Sequence, residues 1–159
     1  MTQMIDISHQ GTPEFLVVDD NDLDFEKISR SFSQLRISNR LRRARDGIEA
    51  LDLLRQDSNL EKGPSHFIVL LDLNMPRMGG LELLAKFRDD RQFSNVSVFV
   101  LTTSDHPDDI CNAHEFNVAG YIVKPVKKDQ MLEALTALNH FWTLCKYPEK
   151  PVHDIIGAP

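Results

Sequence analysis

Cysteine is scarce in this chain: it has two, Cys111 and Cys145, each standing singly and without CxxC spacing. That gives no basis for a disulfide framework or a thiolate metal centre, and the expectation is two buried or semi-buried thiols. None of the six histidines makes an i, i+4 ligand pair on a helix, which speaks against a zinc site. Long hydrophobic runs are lacking too. The longest wholly apolar run, Phe67–Leu71, falls far short of the about 20 residues that span a bilayer, and the opening MTQMIDISHQGTP has no apolar h-region. The expectation is a cytoplasmic protein with no membrane partner. Positive charge is in deficit, with 18 Lys and Arg against 24 Asp and Glu, a net charge of −6. General nucleic-acid affinity comes from clustered Lys and Arg that release counterions, so DNA is not an expected partner. The strongest basic cluster, Arg40, Arg42, Arg43 and Arg45, lies within an expected strand and reads as a solvated strand face.

What is present is one ordinary domain, 159 residues of which 42% are hydrophobic and 26% charged. Five runs rich in apolar or β-branched residues recur: Phe15–Val18, Ile37–Ala44, Phe67–Leu71, Val96–Leu101 and Val118–Val123. Between them lie stretches of helical length and spacing, such as Ile48, Leu51, Leu54 and Leu81, Leu84, Phe87. Strands alternating with helices predict an α/β fold, a parallel sheet covered on both faces. The third and fourth runs are near-continuously apolar, as central strands are, whereas the arginine-bearing second run reads as an edge. Asp19-Asp20-Asn21-Asp22 supplies acidic caps for the first helix, and Asp46-Gly47 opens the second. Pro107 falls in the first turn of the fourth, and Asp57–Ser65 is a long polar loop. The expected organisation is a leader over 1–13, a folded domain over 14–146, and a tail over 147–159 with no output domain.

The residues at the carboxyl ends of the expected strands carry the functional information. Run one ends in Asp19-Asp20, run three in Asp72, run four in Thr102-Thr103, and run five in Lys124-Pro125. In an open parallel sheet these ends share one edge, where such folds place their sites. Each has an ordinary reading alone: helix capping, a turn residue, β-propensity, a loop dipeptide. Together they bring three carboxylates, a hydroxyl and an ammonium into one crevice. Carboxylates that close repel by roughly 4 kcal/mol per pair at 4 Å and an effective dielectric near 20, so they call for a cation. Oxygen ligands alone indicate a hard divalent ion such as Mg²⁺, and Lys124 would serve as a point donor to a phosphoryl oxygen. Phosphoryl transfer onto an aspartate follows, with Asp72 on the central strand as nucleophile. No GxxxxGK[ST] loop is present to hold a nucleotide donor.

The set Val17-Val18-Asp19-Asp20, Leu71-Asp72-Leu73-Asn74-Met75-Pro76 with Gly79-Gly80, Leu101-Thr102-Thr103, and Tyr121 with Lys124-Pro125 closely resembles the receiver domain of two-component response regulators, over about Glu14 to Cys145. The resemblance implies a flavodoxin-like, doubly wound five-stranded sheet of order 2-1-3-4-5. It implies that Asp72 takes a phosphoryl group from a sensor histidine kinase. Asp20 and Asp72 resemble direct Mg²⁺ ligands, Asp19 a ligand through water, and Asn74 a backbone-carbonyl ligand. Thr102 and Lys124 match the phosphoryl-sensing pair, Tyr121 the switch aromatic, and the Lys124-Pro125 peptide is expected to be cis. Positions 121 and 124 face opposite sides of a strand, so Tyr121 can face an output surface while Lys124 faces the site.

The last helix, from about Lys128 to Lys146, carries two apolar rows, Met131, Leu135, Leu138, Trp142, Cys145 and Ala134, Ala137, Phe141, Leu144. Their combined arc is wider than the roughly 100° stripe of one buried face. A homodimer through this helix and strand five would cover the excess, with Leu138, Phe141, Trp142 and Leu144 as interface candidates and Val152, Ile155 and Ile156 of the tail as anchors. The competing expectation is that the tail folds back over its own helix. The long loop, the receiver-only layout and Phe141-Trp142 with Pro148 resemble stand-alone receivers paired with phytochrome-type kinases. Three classes stay open: a phospho-switch, a non-phosphorylated docking module, and a flavodoxin-like cofactor carrier. Acids after strand one oppose the phosphate of a flavin in the third.

Overall fold

The computed structural model describes residues 13–58, 67–94, 96–124 and 127–146. Five strands, β1 (Glu14–Val18), β2 (Leu41–Ala44), β3 (Phe67–Leu71), β4 (Ser97–Thr102) and β5 (Gly120–Val123), alternate with α1 (Asp22–Gln34), α2 (Gly47–Ser58), α3 (Gly80–Asp89), α4 (Pro107–Glu115) and α5 (Lys128–Leu144). The strands form one parallel sheet of order β2-β1-β3-β4-β5, as expected. The sheet has a core on each face. Leu16, Val18, Val69, Leu71, Val98 and Val100 pack with α2, α3 and Ala113 of α4. Phe15, Val17, Ile68, Leu70 and Leu101 pack with Ile28 and Phe32 of α1 and Leu135 and Trp142 of α5. Adjacent residues of β1 and β3 thus supply opposite cores, which is why those strands read as continuous apolar runs. Phe15 meets Phe32 edge-on at 5.1 Å between ring centroids and Trp142 at 4.4 Å.

The second strand is shorter than its sequence run. Ile37 is not in β2: Arg36 takes φ 54° and the Ile37 N–H bonds back to the Phe32 carbonyl at 3.0 Å, so the run's first residues close the end of α1. Likewise Asn117 at φ 58° precedes a buried Val118, and pairing in β5 starts at Gly120. The arginine cluster is not a bare solvated face. Arg40 and Arg42 lie 3.1 and 3.6 Å from the buried Glu14, and Arg43 and Arg45 lie 2.7 and 2.9 Å from Asp22. Arg43 also stacks over the Phe25 ring at 5.0 Å. Cys111 is exposed, contrary to the expected buried thiol, and Cys145 is half-buried.

Asp46 shows how a strand end is locked to the next helix. Its carbonyl accepts the Ala50 N–H and its Oδ1 the Glu49 N–H at 2.9 Å, which makes it the N-cap of α2. Its Oδ2 accepts from Arg77 Nε at 2.7 Å and also from Nη2. Burial opposes the charge, but the Glu49 N–H and the guanidinium outweigh it and hold the carboxyl below its ordinary 3.8. Folding lowers this pKa, so its contribution is present above the unfolded value and lost as pH falls through the folded one. Asp46→Asn keeps the cap and loses the charge. It is expected to cost about 1 kcal/mol at neutral pH, since Arg77 is largely exposed. Urea unfolding at neutral pH and again near pH 3 should show the difference from wild type shrinking in acid.

Candidate functional site

Backbone bonds carry the sheet ladder one residue past each strand and so set the positions of the site residues. The Asp19 N–H bonds the Ala44 carbonyl at 3.0 Å, Asp72 N–H the Val18 carbonyl at 2.9 Å, and Lys124 N–H the Thr102 carbonyl at 2.7 Å. Asp19, Asp72, Thr102 and Lys124 are all buried, and Asp20 is exposed. Asp19 is not a helix cap: its Oδ1 accepts the Asn21 N–H at 2.9 Å, and Asn21 itself caps α1 through the Asp24 N–H at 3.1 Å. Asp19, Asp20 and Asp72 each bring one carboxylate oxygen within 4.8 Å of the others. Oxygen donors alone, converging from two strand ends, fit a hard divalent cation of the Mg²⁺ class.

The Lys124 ammonium bonds Asp19 Oδ2 at 2.7 Å and Asp24 Oδ2 at 2.8 Å and lies 3.7 Å from Asp72 Oδ2. Burial works against its charge, but Asp19 and Asp24 outweigh burial and hold it above the ordinary lysine value. Burial pushes the Asp19 carboxyl up, and the Asp72 charge adds to this, while Lys124 and the Asn21 N–H pull the other way. Asn74 donates its N–H to Asp72 Oδ1 at 3.2 Å and its amide to Thr103 Oγ1 at 3.3 Å. The Tyr121 hydroxyl donates to the Ser104 carbonyl at 2.8 Å, and the Ser104 hydroxyl bonds Asp109. Tyr121 therefore packs half-buried against the α2–α4 face and is tied to the loop that follows β4.

Asp19, Asp20, Asp72 and Lys124 thus meet, with Asn74 bonded to Asp72 and Thr102 at the end of the neighbouring strand. Pro125, its peptide bond and the 147–159 tail lie outside the described residues. Of the interface candidates, Trp142 is committed to the chain's own core beside Phe15, and its indole N–H bonds Asn139 at 2.9 Å. Leu138 is half-buried in the same core, which leaves Phe141 at 65% exposure and Leu144 at 83%. Asp24, which the acidic run Asp19-Asp20-Asn21-Asp22 does not include, is a further residue of the site: its carboxylate accepts from the Lys124 ammonium. It stands in the first turn of α1, and no sequence period marks its contact with a lysine 100 residues along the chain.

Comparison with known proteins follows the same outline. The family described as "Response regulator receiver domain" matches residues 15–136. The chain is similar to "Response regulator Rcp1" of Synechocystis sp., at 30% identity over 127 residues that cover 80% of this chain and 86% of that one. Among solved structures it is similar to the phosphorylated cyanobacterial phytochrome response regulator RcpA, with a TM-score of 0.73 and 30% identity over 86% of this chain and 99% of that one. It is also similar to the Mn(2+)-bound form of Rcp1, with a TM-score of 0.72 and 28% identity over 86% and 99% of the two chains.

Gly80 sets how close α3 comes to the site. Its N–H bonds the Leu73 carbonyl at 3.0 Å, and a Cβ there would lie 2.5 Å from the Asp72 carbonyl and 2.7 Å from Leu73 Cα. Both neighbours are backbone, so relief requires the Asp72–Leu73 segment to move. Gly80→Ala is expected to lower stability by about 1–3 kcal/mol. It should also weaken Mg²⁺ binding in calorimetric titration, whereas Gly79→Ala, with only a 3.3 Å approach to the Leu73 carbonyl, should change both far less.

Proposed function

The chain belongs to the response regulator receiver family of two-component signalling, and from that membership we propose that it is a phosphoryl-accepting switch with Asp72 as the acceptor. One observation carries the reading: the Asp72 carboxylate has two further carboxylates within 4.8 Å and an ammonium at 3.7 Å. A bound Mg²⁺ would neutralise charge on the transferring group. Asp20, Asp72 and the Asn74 carbonyl would hold it directly and Asp19 through water. A Mn(2+)-bound form of the similar Rcp1 supports a divalent ion here. An Asp72 carboxylate oxygen forms a bond to phosphorus as the P–N bond to the kinase's phosphohistidine breaks, and the released imidazole nitrogen takes a proton from solvent. Lys124 takes one phosphoryl oxygen and the Thr102 hydroxyl another. The protein's own catalysis is limited to self-phosphorylation from small phosphodonors and autodephosphorylation, so it is a switch rather than an enzyme.

Thr102 and Tyr121 transmit the change. Thr102 is buried at the end of β4, and Tyr121 holds the loop that Thr102 enters, through the Ser104 carbonyl. The kinase is of the phytochrome type, a reading supported by the likeness to RcpA and Rcp1. The receiver spans residues 14–146. It acts in the cytoplasm; among the chain's described residues no helix is long and apolar enough to cross a membrane. It forms a homodimer through β5 and α5, where Val123, Phe141 and Leu144 are each exposed, and binds no DNA.

Incubation with Mg²⁺ and acetyl phosphate should label wild type with an acid-stable, base-labile phosphate, and Asp72→Asn should take none while keeping its thermal unfolding transition. An unlabelled wild type would leave a docking module that is not phosphorylated. Sedimentation at micromolar concentration should show a dimer that Phe141→Asp with Leu144→Asp converts to monomer. A wild type that stays monomeric with and without phosphodonor would end the dimer proposal.

A further inference from the structure

We propose that Asp24 is a positioning residue that holds the Lys124 ammonium in competition with the phosphoryl group. The inference rests on the reading of Asp72 as acceptor. An ammonium has three N–H donors. At 2.7 and 2.8 Å, Asp19 and Asp24 take two of them, while Asp72, at 3.7 Å, is beyond hydrogen-bond reach. Lys124 therefore rests against α1 rather than against the acceptor. Asp24 is fixed there by its backbone, because its N–H is the one that Asn21 caps. It does not belong with the three acids whose oxygens converge for a cation.

The two contacts differ in what it takes to break them. The Asp19 carboxylate is 3% exposed and would be stranded without a counter-charge, whereas Asp24 is 25% exposed and can be rehydrated. When a phosphoryl group reaches Asp72, its oxygens need the ammonium, and the Asp24 contact is the one that yields. Asp24 thus opposes phosphorylation in two ways, by occupying the lysine and by adding negative charge beside an incoming anion. The same charge favours a divalent cation. Removing it should move metal binding and phosphorylation in opposite directions, which loss of a purely structural contact would not do.

The test compares wild type, Asp24→Asn, Asp24→Glu and Asp22→Asn. Asp22 lies on the same turn but pairs with Arg43 and Arg45, so its variant removes a unit charge without touching Lys124. Calorimetric titration with Mg²⁺ alone should show Asp24→Asn binding roughly five-fold more weakly, the scale of one charge acting on a divalent ion through partly hydrated protein. With Mg²⁺ saturating, its initial rate of labelling by acetyl phosphate should rise roughly five-fold, as the O–P bond to Asp72 forms and acetate leaves. Asp24→Glu should stay within about two-fold of wild type in both, and so should Asp22→Asn. Equal or slower labelling of Asp24→Asn than of a labelled wild type would overturn the proposal, as would an Asp22→Asn variant that reproduces its changes. A wild type that takes no label would instead overturn the reading of Asp72, and this inference with it.

Discussion

The candidate site depends on keeping like charges together at one edge of a sheet. Asp19, Asp20 and Asp72 converge within 4.8 Å, and two of the three are buried, where an uncompensated carboxylate is costly. The only ammonium among the described residues that reaches them is Lys124, delivered from 105 residues along the chain. One cation among several anions leaves a site with negative charge to spare, so it favours a divalent ion. It is also a site that an anionic group can enter only with that ion's help. The same imbalance makes the position of one lysine side chain consequential, because every group in the crevice competes for it.

The fold supplies what side chains alone cannot, a frame that does not relax when charges crowd together. The parallel ladder extends one residue beyond the strands, so the Asp19, Asp72 and Lys124 backbones are bonded to neighbouring strands. Behind them both faces of the sheet are filled, by Leu16, Val18, Val69 and Leu71 on one side and Phe15, Val17, Ile68 and Leu70 on the other. A close-packed interior of this kind transmits displacement rather than absorbing it. The Gly80 approach to Asp72 and the Arg77 bond to Asp46 pin the loop after β3 from two directions.

Much of this was legible from the chain alone, for physical reasons. Strands buried on both faces are written as apolar runs, and β3 came out at its sequence-read bounds, Phe67–Leu71, because the next residue is a charged Asp. The second strand was rightly read as an edge, but its start was misplaced because Ile37 serves the end of α1, and apolar character does not tell which element uses it. Trp142 was read as surplus on α5 because an arc of apolar residues shows how much surface needs cover but not how far around a sheet's twist can reach. Asp24 and the pairing of the arginines with Glu14 and Asp22 were hidden for another reason. They are tertiary charge contacts with no sequence period.

Under the role proposed for Asp72, output is constrained by β5, which is joined both to the site and to Tyr121. Lys124 follows directly from the strand that holds Tyr121, and its N–H is bonded to the Thr102 carbonyl at the end of β4. A shift of Thr102 or Lys124 toward a group on Asp72 therefore acts on the β4–β5 pair. The loop that follows β4 carries the Ser104 carbonyl, which accepts from the hydroxyl of Tyr121 in β5. On the far side of β5 lies α5, whose inner row is anchored by Leu135 and Trp142 and whose outer residues Phe141 and Leu144 are left to solvent. An anchored helix with an exposed apolar rim next to a strand end can register a displacement there without unfolding. Under the role proposed for Asp72, the outer face of α5 is for that reason the surface where a change of charge at the site would be read by another protein.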